Sequence, residues 1–189
     1  MIVERRKAEV YSAYIHIINL MEMSNNRVYS KGIEDSILKL IKKYPEVLRM
    51  YNKKKQNIGM LAVEQRMFSV VSHILKDRTS LLHQDINNKN IGHYLAEIKS
   101  SWVREEYRRE EDLVDELLLV ILKDPSASLQ VDKEGNNIGM KVAMRDSRKA
   151  LKVALKNELA SKQKNKKGKT IRDIAIENGL LLESERIKN

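Results

Sequence analysis

The sequence predicts an all-α chain of tandem helix pairs, a helical solenoid of about four to five repeats. Three observations predict it. A twelve-residue phrase occurs four times, starting at Asn52, Asp85, Asp132 and Asn165, with steps of 33, 47 and 33 residues. A second phrase follows it: I-L-K-D stands at 74–77 and again at 121–124, and Ala154, Leu155, Lys156 and Asn157 hold the same slot in the next copy. Apolar residues fall at helical spacing, Val70, Val71, Ile74 and Leu75 in one copy and Leu117, Leu118, Ile121 and Leu122 in another. A fixed period marks one supersecondary unit stacked on itself, because a lone helix pair cannot bury its own apolar face.

Each element has its reason. Residues 1–23 read as a cap helix, carrying Val10, Ile15, Ile18, Leu20 and Met21, that covers the first stacked face. Residues 24–51 read as a degenerate repeat, with Ile41, Lys42, Lys43 and Tyr44 standing 33 residues before the first I-L-K-D. The clear repeats are 52–84, 85–131, 132–164 and 165–189, all in a single repeat domain spanning 1–189. Each begins with Asp, Asn, Gly and Lys, the residues of a turn. Asn57, Asn90, Asn137 and Thr170 come next, placed to bond the free N–H groups of a helix start. A short helix follows, with small residues (Gly59 and Ala62; Gly92 and Ala96; Gly139 and Ala143; Ala175) that admit a close neighbour. A second, longer helix completes the unit. The longer middle step places 14 extra residues near 99–112, and their charged, helix-forming composition predicts lengthened helices or a helical protrusion. The carboxyl end, L-L-L-E-S-E-R-I-K-N, predicts a short final helix with a polar outer side.

Composition narrows the function classes. Hydrophobic residues make up 42% of the 189, enough for a continuous core. Aromatic residues are only 5%, so stacking platforms for single-stranded nucleic acid are scarce. Cysteine is absent, which removes disulfides, thiolate metal sites and cysteine nucleophiles. No stretch approaches the roughly 20 apolar residues of a membrane helix. The amino end carries Glu4, Arg5, Arg6, Lys7 and Glu9 rather than an apolar leader core, so no signal peptide is expected. A cytoplasmic protein is expected, or one delivered into a host cytosol. The net charge is +10, and residues 141–172 hold twelve Lys or Arg against Asp146 and Glu158.

Each chemical motif has a plainer reading beside it. The four histidines, His16, His73, His83 and His93, show no metal-ligand spacing, and His93 reads as a structural hydrogen-bonding residue. The carboxylates Glu105, Glu106, Glu110, Glu111 and Asp112 alternate with Arg104, Arg108 and Arg109, as on a solvated helix. Gly168-Lys169-Thr170 lacks the upstream glycine of a phosphate loop, since Gln163 stands there. No catalytic residue, metal or cofactor is expected. The turn-tip lysines remain open between plain solubility, steering of an acidic protein and binding of nucleic acid. Trp102, the only tryptophan, lies in the insertion and reads either as a binding anchor or as packing for the protrusion.

The unit resembles the ankyrin repeat: a turn, a short helix and a longer helix in 33 residues. The copy from Asn165 is the nearest to that pattern, with Gly168, Thr170, Ala175 and Gly179, and the copy from Asp132 keeps Asp132, Gly135, Val142 and Ala143. His93 stands where the family often has histidine. The family's T-P-L-H is N-I-G-H or N-I-G-M here, with glycine for leucine, and the inner helices are expected to lose an apolar contact. The resemblance implies a non-catalytic protein-binding module. Its recognition surface would be the turn tips and inner-helix face: Lys53, Lys54, Gln56, Glu64, Gln65, Ile86, Asn87, Lys89, Glu97, Lys133, Glu134, Asn136, Met144, Arg145, Lys166, Lys167, Lys169 and Asn178, with Trp102 added from the insertion. The implied partner is a protein with an acidic surface; the alternative is nucleic acid or another polyanion on the basic 141–172 end. Small stand-alone proteins of this kind resemble bacterial, phage or viral factors that bind and inhibit or redirect a host protein.

Overall fold

The computed structural model describes residues 2–24, 31–98, 105–145 and 147–182. These are all-helical: twelve α-helices and one 3-10 helix, with no strand among the described residues. The chain divides into two compact units, Met1–Ile86 and Asn87–Asn189.

The first unit holds α1 (Ile2–Ser24), α2 (Lys31–Lys43), a 3-10 helix (Pro45–Arg49), α3 (Ile58–Glu64), α4 (Phe68–Ile74) and α5 (Arg78–Leu82). Ala13, Ile17 and Met21 recur every fourth residue on α1, so they form one buried stripe against α2, the 3-10 helix and α3. Ile37, Ile41 and Val47 answer from the other side. The hydrophobic Met67 offers α4 no cap, and the buried Glu34 of α2 accepts from the Ser69 N–H at 3.1 Å instead. Arg49 reaches Asp77 through both guanidinium ends, at 2.5 and 2.8 Å.

The second unit holds α6 (Ile91–Glu97), α7 (Glu105–Leu122), α8 (Pro125–Leu129), α9 (Ile138–Arg145), α10 (Arg148–Ala154), α11 (Glu158–Lys162) and α12 (Ile171–Glu177). α9 packs between α6 and α12, and α10 packs on α7 and α9. Ile91, Leu95, Leu118, Ile121, Ile138, Val142 and Ile171 are fully buried between them. Of the 14-residue surplus, 105–112 form the first turns of α7, and 99–104 lie outside the described residues.

Three expectations need correction. The second helix is not generally the longer: α4 and α10 have seven residues, like α3 and α6, and only α7 reaches 18. The cause is the last letter of I-L-K-D. Asp77, Asp124 and Asn157 stop one helix and cap the next, accepting from the N–H of Ser80, Ala127 and Ala160. Each clear repeat from 52 to 162 therefore carries a third, one-turn helix. The inner helices also lose no apolar contact at glycine. A methyl group on Gly92 would stand 2.5 Å from Ile138 Cδ1, and one on Gly139 would stand 2.4 Å from Ile171 Cδ1. The missing side chain is a seat for the isoleucine of the following copy. Finally, residues 178–182 are turn and bend, closed by Gly179 at φ +71° with Leu180 N–H on the Ala175 carbonyl. The final helix expected over 180–189 therefore does not begin at 180–182, and its remainder, 183–189, lies outside the described residues.

Candidate functional site

The four turns share one geometry. Their first residue folds its side chain back onto the backbone: Asn52, Asp132 and Asn165 each accept from the N–H groups two and four residues on, at 2.8–3.0 Å. The fourth residue takes a positive φ in every copy: Lys55 57°, Asn88 59°, Gly135 78° and Gly168 74°. Only two of the four use glycine, which disguises the shared shape in the sequence. Consecutive turns are tied in constant register. In the first unit the Ile86 N–H donates to the Lys54 carbonyl; in the second, Lys133 N–H donates to Asn87 and Lys166 N–H to Glu134, all at 3.0 Å.

Beneath the turns the capping asparagines bond in two directions. Asn137 Oδ1 accepts from the Met140 N–H at 2.9 Å, while its Nδ2 donates to the Ala160 carbonyl at 2.8 Å and to Gln163 at 2.7 Å. Asn57 and Asn90 repeat this toward Ser80 and Ala127. His93 is fully buried; its Nε2 meets the Asn136 carbonyl at 3.0 Å, and its Nδ1 faces the Asn90 N–H. Burial pushes its pKa below the ordinary value, so the ring is neutral at pH 7. His93 thus ties one copy to the next.

A ladder of side-chain bonds runs from the fifth turn residue to the residue eight positions on. Gln56 donates to Glu64 at 2.8 Å, Lys89 to Glu97 at 2.7 Å and Lys169 to Glu177 at 2.7 Å. The copy from Asp132 breaks it. There the two positions are Asn136 and Met144, and no carboxylate stands at the rung. Lys141 instead bridges Asp132 at 2.9 Å and Glu97 at 3.0 Å. Burial works against its ammonium, yet these two bonds hold its pKa above the ordinary value.

The broken rung opens into a groove of about 510 Å³ between the turns at 132–137 and 165–170. Lys133, Glu134, Asn136, Met144, Lys166, Lys167, Lys169 and Asn178, eight of the residues singled out from the sequence, line it together. The sequence reasoning missed Asn165, Ile174 and Glu177, which line it too; Glu177 was legible as the +8 partner of Lys169. Lys133, Lys166 and Lys167 are exposed and form no ion pair among the described residues. Met144, in the same lining, is 47% exposed.

The other singled-out residues are placed differently. Lys53, Lys54, Glu64 and Ile86 are exposed, and Gln65 half-buried, in the first unit; Asn87 and Glu97 are exposed in the second. Lys89 and Lys169 are partly neutralised by their glutamates. Gln56 and Asn136 are buried and act as hydrogen-bonding struts of their turns. Arg145 is also committed: its guanidinium holds Asp115 at 3.0 Å and the Ile98 carbonyl at 3.1 Å. Trp102 lies outside the described residues. No group of three or more His, Asp or Glu among the described residues could hold a metal, and no described helix is long and apolar enough to cross a membrane.

No family model matches the chain, and no curated protein matches it.

Proposed function

We propose that the chain is an ankyrin-like helical solenoid acting as a protein-binding module, and that its groove at Lys133, Met144, Lys166 and Lys167 takes an acidic segment of a partner protein. Turn, inner helix, outer helix and cap recur at the period of that family, and consecutive turns share one hydrogen-bond register; both support the solenoid. The single observation that carries the binding reading is the broken rung. Three copies supply their own acceptor carboxylate at the +8 position, and the copy from Asp132 supplies Met144 beside three lysines that form no ion pair among the described residues. A partner carboxylate completes the charge pattern, and an apolar side chain beside it covers Met144. Lysines at the rim of such a groove raise the encounter rate more than the final affinity.

Selection of short random peptides displayed against the full chain tests this. The expected winners carry Asp or Glu next to an apolar residue. Met144→Glu, which restores the missing carboxylate, abolishes their enrichment while the helix content holds. Winners without acidic residues, or winners indifferent to Met144→Glu and to Lys166→Glu with Lys167→Glu, overturn the reading. Equal binding of single-stranded DNA with a steep salt dependence favours the polyanion alternative.

A further inference from the structure

A second groove, sharing no lining residue with the first, is formed by α10 and residues 179–182. It encloses about 710 Å³. Its floor is leucine: Leu151 and Leu155 on one side, Leu180 and Leu181 on the other. Its rim is cationic, with Arg148, Lys149 and Lys152 as the only charged residues of the lining among the described residues. All three are exposed, and none forms an ion pair among the described residues. Lys141, Arg145 and Lys169 of the same unit, by contrast, each hold a carboxylate. Next to the floor, Leu182 is 70% exposed. Leucine left in water is unfavourable, and leucine ringed by one sign of charge selects for the occupant.

We infer that this groove binds an acidic amphipathic helix of a partner protein. Arg148 and Lys152 stand four residues apart, one helical turn, so two carboxylates one turn apart on a partner helix meet them together. Apolar side chains between those carboxylates lie on the leucine floor, the helix-in-groove arrangement. A bare polyanion satisfies the rim and leaves the leucines wet. An uncharged helix covers the leucines and leaves three cations desolvated without partners. Only an occupant with both features satisfies both parts. The inference does not rest on the groove at Met144.

Fluorescence anisotropy with the full chain decides it. The probe is a labelled helical peptide of about four turns, with leucine along one stripe and glutamate flanking it at i and i+4. The comparison probes are the same residues in scrambled order, a polyglutamate of equal charge and a single-stranded oligothymidylate. Saturable binding is expected for the striped peptide, and affinities at least about tenfold weaker for the other three. Arg148→Glu with Lys152→Glu weakens the striped peptide by about tenfold or more, while Lys166→Glu with Lys167→Glu leaves it within about twofold. All four substitutions are on exposed side chains, and circular dichroism checks that helix content is kept. The inference is overturned if the striped peptide does not saturate, if a scrambled or purely anionic probe binds as well, or if the Arg148/Lys152 variant binds unchanged.

Discussion

Gly139→Ala is the sharpest test of how the copies stack. In an ordinary helix this change stabilises by about 1 kcal/mol, because glycine has more backbone freedom to lose. Here the added methyl group stands 2.4 Å from Ile171 Cδ1, 3.0 Å from Ala154 Cβ and 3.3 Å from the capping Asn137 Oδ1. Overpacking a close-fitted core costs about 1–3 kcal/mol. The two effects oppose, and the contact wins by about 1 kcal/mol, a fall in Tm of roughly 2–4 °C for a chain this size. Ile171→Val removes the clashing Cδ1 and by itself costs about 1 kcal/mol. The double variant is therefore less destabilised than the sum of the singles, with a coupling of about 1 kcal/mol. Urea unfolding at 25 °C measures all four proteins, with equal m-values as the check that the unfolding reaction is the same. A Gly139→Ala protein more stable than wild type refutes the seat. So does strict additivity with Ile171→Val.

Other outcomes follow from single contacts. Asn137→Ala removes a helix cap, a buried bond to Ala160 and a part-buried bond to Gln163, and thermal unfolding should show a loss of about 2–3 kcal/mol; a loss under about 0.5 kcal/mol refutes the two-way role. The Arg49 guanidinium, with help from the Ser80 cap, holds Asp77 at a pKa of about 2, below its ordinary 3.8. Because the folded value is the lower one, its stabilisation is present above about pH 4 and is lost as pH falls toward 2; with Arg49 half exposed this is about 1 kcal/mol. Asp77→Asn removes that part of the acid dependence, and parallel stability curves for the two proteins between pH 4 and 2 contradict it. Lys141→Met strands the Asp132 carboxylate, whose side chain is 0% exposed, at a cost of about 3 kcal/mol at pH 7. Acid protonates the stranded group, so the deficit relative to wild type narrows as pH falls; a deficit constant from pH 7 to 4 rules the account out.

Much of the local design was legible because it acts within a few residues. Asn57, Asn90, Asn137 and Thr170 cap helices where the sequence placed them, since the capping bond of a short polar side chain after a turn falls on the helix start three residues on. The stop at Asp77, Asp124 and Asn157 was legible in kind, as each begins a cap, but the apolar spacing across it hid the break. Gln56 and Asn136 looked like surface because turn residues usually are, yet both are buried, Gln56 bonded to Asn52 and Glu64 of its own copy and Asn136 to Asn165 of the next. Arg145 read as an open cation because its partner Asp115 lies 30 residues away on another helix.

The sequence by itself determined that the chain is helical, that it repeats, and where its turns and caps fall. These follow from period, from side-chain hydrogen bonding over a few residues and from apolar spacing, all properties of contiguous chain. Tertiary structure alone decided which charges are spent and which remain. Glycine became a seat only when the next isoleucine arrived, and lysines of equal appearance in the sequence divided into paired struts and free rim. Some pairs lie within one copy, as Lys169 with Glu177, but Lys141 also reaches Glu97 of the preceding copy, and such a partner is brought near only by folding.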